Sequence, residues 1–318
     1  MKKIISLCLA LLITISLSAC GENNEVIKVG ILQPIEHDAL SAAREGFVEG
    51  LKDNGYDDSK IEVTYLNALG SDTDLKSMAS ELIRTSDIVL GIGTGAAQTL
   101  QSEASSVNSD IPIMFTAVTD PVDAGLVESA TRSGGNLAGT TDMNPVEQQI
   151  QLVKEILPDA KELGIIYTAS EQNSEIQANL AKTEAEAEGL NVTIQTITSA
   201  SEIQLTLRDL CNEVDAIFIP TDNTLAAAMP TVSAICNEEK ILTVVGEPNL
   251  VNNGGCITLG IDYTALGELT GKMAAEILDG SDISEMALGS LSLDECTLAV
   301  NEESFAAIGI SVPSNLDK

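Results

Sequence analysis

The chain offers few groups for covalent chemistry and several for holding a ligand. In "DAIFIPTDNTLAAAM", an apolar run from Ala216 to Ile219 reads as a buried strand and "LAAAM" as the start of a helix. Thr221, Asp222, Asn223 and Thr224 stand between them. Asp, Asn and Thr are preferred helix N-caps, yet ligands of open α/β sheets also bind beyond the carboxyl ends of strands. Both roles are open at this point. Catalysis has less to work with: His37 is the sole histidine, which leaves almost nothing for a Ser–His–Asp arrangement or a His-rich metal site. His37, in "QPIEHDAL", reads equally as a helix-opening residue or a ligand contact. Gly91, Gly93 and Gly95 form GxGxG without the spacing of a dinucleotide or ATP loop. Asp120 and Asp123 in "VTDPVD" read as turn and cap residues. No metal and no cofactor is expected.

The N-terminus reads as a signal. "MKKIISLCLALLITISLSAC" has Lys2 and Lys3, an apolar core and small residues before Cys20. Residues 1–19 are expected to be removed, Cys20 to be lipidated, and 20–25 to form a tether to the outer face of a membrane. The chain is acidic, with 48 Asp and Glu against 16 Lys and Arg and a formal charge of −32. That balance argues against nucleic acid. Cys211, Cys236, Cys256 and Cys296 show no CxxC pair, so neither a metal site nor a disulfide pattern follows from spacing.

The elements that must position these groups alternate. "VIKVGIL", "IEVTYLNA", "DIVLGIG" and "IPIMFTA" read as strands separated by amphipathic helices, and the pattern restarts with "ELGIIYT", "NVTIQTI", "DAIFIPT" and "ILTVVGE". Strand–helix alternation predicts an α/β fold with parallel sheets covered on both faces. The expectation is two Rossmann-like lobes joined by a multi-strand hinge, with residues 26–140 and 262–283 in lobe 1 and 141–261 and 284–318 in lobe 2. "IVLGIGTGAAQTL" and "AIFIPTDNTLAAAM" stand at corresponding turns of the two halves.

"GILQPIEHDALSAAREGFVEGL", "TGAAQ", "PIMFTAVTDPVDAGLV", "TDMNPVEQQ", "IPTDNT" and "GIDYTALGELTG" together resemble the ABC transporter substrate-binding family associated with tryptophan and other aromatic amino acids. The resemblance runs from about Val29 to Ile310. It departs at "YTASEQNS", which lacks the usual Asn-Pro after the tyrosine, and at "GEPN", where Gly-Ser-(Asp/Glu) is more usual. It implies a type I periplasmic-binding fold, a small ligand held between the lobes, and delivery to a permease driven by its ATPase. It implies no enzyme activity.

For an amino-acid ligand, the carboxylate is expected at the backbone of Thr94, Gly95 and Ala96, with the Thr94 and Thr116 hydroxyls. Asp142, Asp222 and Glu247 compete for the ammonium. Asn173, Ser174 and Asn223 complete the polar shell, with Gln33 and Glu36 from the first turn. Sugar or nucleoside binding on the same fold, or a ligand-sensing receptor lobe, are the alternatives.

Overall fold

The computed structural model describes residues 26–316. The first lobe runs β1 (Ile27–Gln33), α1 (Asp38–Asp53), β2 (Ile61–Asn67), α2 (Asp72–Thr85), β3 (Ile88–Ile92), α3 (Thr94–Ser106), β4 (Ile113–Val118) and β5 (Leu137–Thr141). The strands form one parallel sheet in the order β2-β1-β3-β4-β5. The buried residues of β3 and β4 explain why these strands read as unbroken apolar runs: a parallel sheet is covered on both faces.

The second lobe contains α4 (Val146–Ile156), β6 (Glu162–Thr168), α5 (Gln172–Ala187), β7 (Asn191–Ile197), α6 (Ile203–Cys211), β8 (Ala216–Ile219), α7 (Asn223–Ala227), α8 (Met229–Glu239), β9 (Leu242–Val245), α9 (Pro248–Asn252) and β10 (Ile257–Gly260). Its strands take the order β7-β6-β8-β9-β10, the same plan as the first sheet. The chain then returns to lobe 1 as α10 (Tyr263–Leu278) and ends in lobe 2 as β11 (Thr297–Val300) and α11 (Glu302–Ile308). Strand β11 pairs antiparallel with β10, so the second sheet is parallel except at this edge. Four apolar clusters cover the faces of the two sheets.

Three segments link the lobes: β5 to α4, β10 to α10, and α10 to β11. The last of these stays on lobe 1 past the crossing expected at 283/284. Ser284 and Met286 carbonyls accept from Gly134 and Ser133, and Gly289 bonds Gly139 and Thr141. The backbone hydrogen bonds of this stretch have partners only on the first lobe, which carries the crossing toward β11.

Helices α1 and α10 lie unusually close. A Cβ added at Gly46 would sit 2.1 Å from the Thr264 carbonyl oxygen, and one at Gly267 would sit 2.2 Å from that of Ala43. Gly50 and Gly271 are as tight, each 2.3 Å from a backbone oxygen, of Glu268 and Phe47 respectively. Both helices begin at the crevice between the lobes, so this packing fixes the spacing of their first residues.

Candidate ligand site

A narrow crevice with a cavity of about 20 Å³ lies between the lobes, lined by ends of strands and starts of helices from both. That is room for about one water and far less than the roughly 300–1,000 Å³ typical of small-molecule pockets, so a ligand enters only when the lobes part. From lobe 1 come His37, Ala39, Leu40, Ala117 and Tyr263; from lobe 2 come Asn173, Thr221, Asp222, Asn223, Ala226, Glu247 and Leu250; Asp142 lies on the first crossing. No Lys or Arg is among the lining residues.

Asp142 is fully buried. Its carboxylate accepts from the Thr119 hydroxyl (3.1 Å) and the Tyr263 hydroxyl (2.6 Å). Burial raises its pKa despite these two bonds, and the Tyr263 hydroxyl is raised by burial and by Asp142. Next to it, Asn144 Oδ1 accepts from the Ile261 backbone N–H (3.0 Å), tying the first crossing to the second.

Glu247 caps α9: its Oε2 accepts from the Asn249 N–H at 2.6 Å. Its Oε1 is buried without a hydrogen-bond partner. Burial, with a smaller push from Asp142, takes its pKa up to about 8. A buried acceptor left unpaired costs stability unless something fills it. The Thr221 hydroxyl, also on the crevice wall, is likewise unpartnered.

Asp222 is the opposite case. Oδ1 accepts from the Leu225 N–H (2.9 Å) and the Thr168 hydroxyl (2.9 Å), and Oδ2 from the Thr168 N–H (2.6 Å). The carboxylate caps α7 and ties it to the end of β6. Burial raises its pKa, against those same bonds. Glu171 completes the turn, accepting from the Asn223 and Thr224 backbones and side chains at 2.6–3.0 Å. Burial first, and the Asp222 charge second, push it up to about 7.

The lobes touch around the rim. His37 Nε2 donates to Asn223 Oδ1 (3.0 Å), and Asn253 donates to Asp38 (2.8 Å). On the other side Gln172 donates to Asp123 (2.8 Å) and accepts from Gln98 (3.2 Å). Burial lowers the His37 pKa, which keeps the ring neutral. Lobe 1 also supplies a strained residue: Ala117 has φ 55° where the β4–β5 register shifts. A left-handed non-glycine residue costs about 1 kcal/mol or more, a penalty usually kept at functional surfaces.

Of the residues expected from sequence, Asp142, Asn173, Asp222, Asn223 and Glu247 line the crevice. Ser174 stands just behind, donating with Asn173 to the Thr221 carbonyl. The others are placed elsewhere. Thr116 bonds Thr140, which bonds Thr270, a buried chain linking β4, β5 and α10. Thr94, Gly95 and Ala96 open α3 but do not line the crevice. Gln33 is buried against Ile35 and Tyr65, and Glu36 bonds Ser41, Tyr65 and Asn67. Sequence reasoning missed Tyr263, Glu171, Ala117 and the apolar contacts Leu40 and Leu250. "GIDYTALGEL" did mark a helix start, but nothing in it shows Tyr263 reaching Asp142.

Two similar α/β lobes, three crossings and a polar crevice between them define a type I periplasmic-binding protein. The chain belongs to the ABC transporter substrate binding protein family, whose model matches residues 28–318. It is 36% identical over 324 residues to the tyrosine-binding protein of Clostridioides difficile (strain R20291), covering 96% of this chain and 92% of that one. An ABC domain from Streptococcus pneumoniae, solved in complex with L-Trp, superposes with a TM-score of 0.87 at 33% identity, over 92% of this chain and 97% of that one. The ligand-free, open structure of a substrate-binding protein with adhesive properties from Clostridium difficile gives 0.69 at 37% identity, over 91% and 97%. The more identical chain is the poorer fit, and the difference agrees with the rim contacts: the lobes here are closed on one another. The family binds solutes, and its members are extracytoplasmic.

Proposed function

We propose that this protein is a lipid-anchored solute-binding protein of an ABC importer. It captures an aromatic amino acid, tyrosine or tryptophan, between its lobes and presents it to the permease. The observation that carries this reading is the unpartnered Oε1 of buried Glu247, beside Asp142, in a crevice without a cation. An ammonium group supplies what is missing there, a charge with hydrogen-bond donors, and a charge-assisted bond is worth about 1.5–3 kcal/mol. The ligand carboxylate turns to the start of α1, where His37 offers no side-chain acceptor to the first-turn N–H groups. This replaces the α3 turn expected from sequence. Ala39, Leu40, Ala117 and Leu250 form the apolar wall for the side chain. The tyrosine-binding and L-Trp-complexed relatives support the ligand class.

Calorimetric titration with Tyr, Trp and Phe, beside aliphatic amino acids, hexoses and nucleosides, tests it. Aromatic amino acids should bind at least tenfold tighter than the rest; saturation by a hexose or nucleoside alone would overturn the reading. The signal, Cys20 and the tether lie outside the described residues. For the anchor, Cys20→Ala should move the protein from the membrane fraction to the soluble one, and unchanged partition would remove the lipid from the proposal.

A further inference from the structure

Cys211 and Cys236 take no part in the crevice, yet the fold places them face to face. Cys211 is the last residue of α6 and Cys236 lies in α8, both within the apolar cluster that includes Leu207, Leu210 and Val232. Their neighbours fix the facing. Arg208 forks onto Glu239 and Glu238, with Nη1 and Nη2 each 2.5 Å from a carboxylate oxygen. Residues three apart share one face of a helix. Arg208 and Cys211 are three apart on α6, as are Cys236 and Glu239 on α8. The 208–239 ion pair therefore brings 211 toward 236, within one apolar cluster shared by the two helices.

We propose that Cys211 and Cys236 are joined by a disulfide in the exported protein, stapling α6 to α8. Proteins of this family work outside the cytoplasm, where disulfides persist. The oxidant is a disulfide-bearing thiol oxidant, a glutathione disulfide or a protein oxidoreductase. One cysteine thiolate attacks an oxidant sulfur, forming a mixed disulfide and expelling the first oxidant thiolate. The second cysteine thiolate attacks the cysteine sulfur of that mixed disulfide, the S–S bond closes, and the second oxidant thiolate leaves. The two cysteines lose two electrons and two protons; the oxidant gains both and ends as two thiols. Both cysteines are buried, so the bond forms as the lobe folds rather than afterwards.

The closed loop contains β8 and the Asp222–Asn223 turn, so the staple constrains the chain segment that carries the lobe-2 side of the crevice. Among the described residues no cluster of His, Cys, Asp and Glu is suited to a metal ion.

The test is peptide mapping of the exported protein, and of protein refolded in a glutathione redox buffer, after alkylation under denaturing conditions without reductant. Cys211 and Cys236 should be protected and recovered in one linked peptide, with Cys256 and Cys296 alkylated. Reduction should lower the melting temperature by roughly 5–10 °C, and Cys211→Ser and Cys236→Ser should show the lower value with or without reductant. Cys296→Ser should behave as wild type. Alkylation of all four cysteines, or a link from Cys236 to Cys256, would overturn the proposal, and the mapping decides even if a variant fails to fold.

Discussion

The two lobes share one strand plan, yet their helix starts at the crevice hold opposite chemistry. In lobe 1, His37 caps α1 at the crevice and supplies no side-chain hydrogen bond to its helix. In lobe 2, Glu171 precedes α5 but gives its carboxylate to the Asn223–Thr224 turn, and Asp222 caps α7 with its carboxylate. Near the end of β4 in lobe 1 the crevice meets Ala117; beyond β9 of lobe 2 it meets Glu247. One rim therefore presents unfilled N–H groups and small apolar residues, and the other presents acids. Such a pair of rims favours a dipolar ligand in one orientation, with its ammonium toward lobe 2.

The sharpest way to break this comparison is Glu247→Gln, which keeps shape and removes the charge. Affinity for the aromatic amino acid should fall about 10- to 100-fold, read by calorimetry. The sign for the free protein is opposite. A carboxyl raised from 4.5 to about 8 binds more protons folded than unfolded across that range, so wild type should lose stability as pH rises through it. The variant should melt no lower than wild type at pH 8, with a flatter pH profile. Binding to wild type near pH 7 should also release protons as Glu247 ionises against the ammonium, seen as buffer-dependent heats absent from the variant. Unchanged affinity would move the ammonium site elsewhere.

A smaller effect separates the two acids of lobe 2. Asp222→Ala should destabilise the free protein by about 1–2 kcal/mol, since the α7 cap is lost and Thr168 loses its acceptor. Asp222→Asn should keep most of the cap and bind within a few-fold of wild type. If Asp222→Asn instead matched the loss in Glu247→Gln, the ammonium would belong at Asp222. Smallest of all, Thr94→Val should leave affinity within about twofold, because the α3 turn is off the crevice. A tenfold loss there would restore that turn to the site and undo the asymmetry.

The strands and their grouping into two lobes were legible because a covered parallel sheet writes itself as apolar runs. The antiparallel β11 was not, since one four-residue strand carries no mark of its direction. In the site, Asp142, Asp222 and Glu247 were visible as acids at strand ends, where apolar runs stop. What ranks them is hydrogen-bond satisfaction: Asp222 is fully used by Thr168 and Leu225, while Glu247 keeps an open oxygen. That depends on residues brought together from different strands. Thr94, Gly95 and Ala96 are off the crevice lining, which the sequence could not show, because a helix start looks alike whether its neighbour is a ligand or the rest of the lobe. Tyr263 was hidden by a sequence separation of 121 residues from Asp142.

The glycine seam between α1 and α10 makes crevice width a property that can be lost at a distance. Gly50 lies about 18 Å along α1 from Asp38 at 1.5 Å per residue, yet a single methyl there must push the helix axes apart. Because His37 and Tyr263 begin those two helices, their separation would open with it. A variant survey that ranked positions by proximity to the ligand would score Gly46, Gly50, Gly267 and Gly271 as harmless, and they should be among its false negatives.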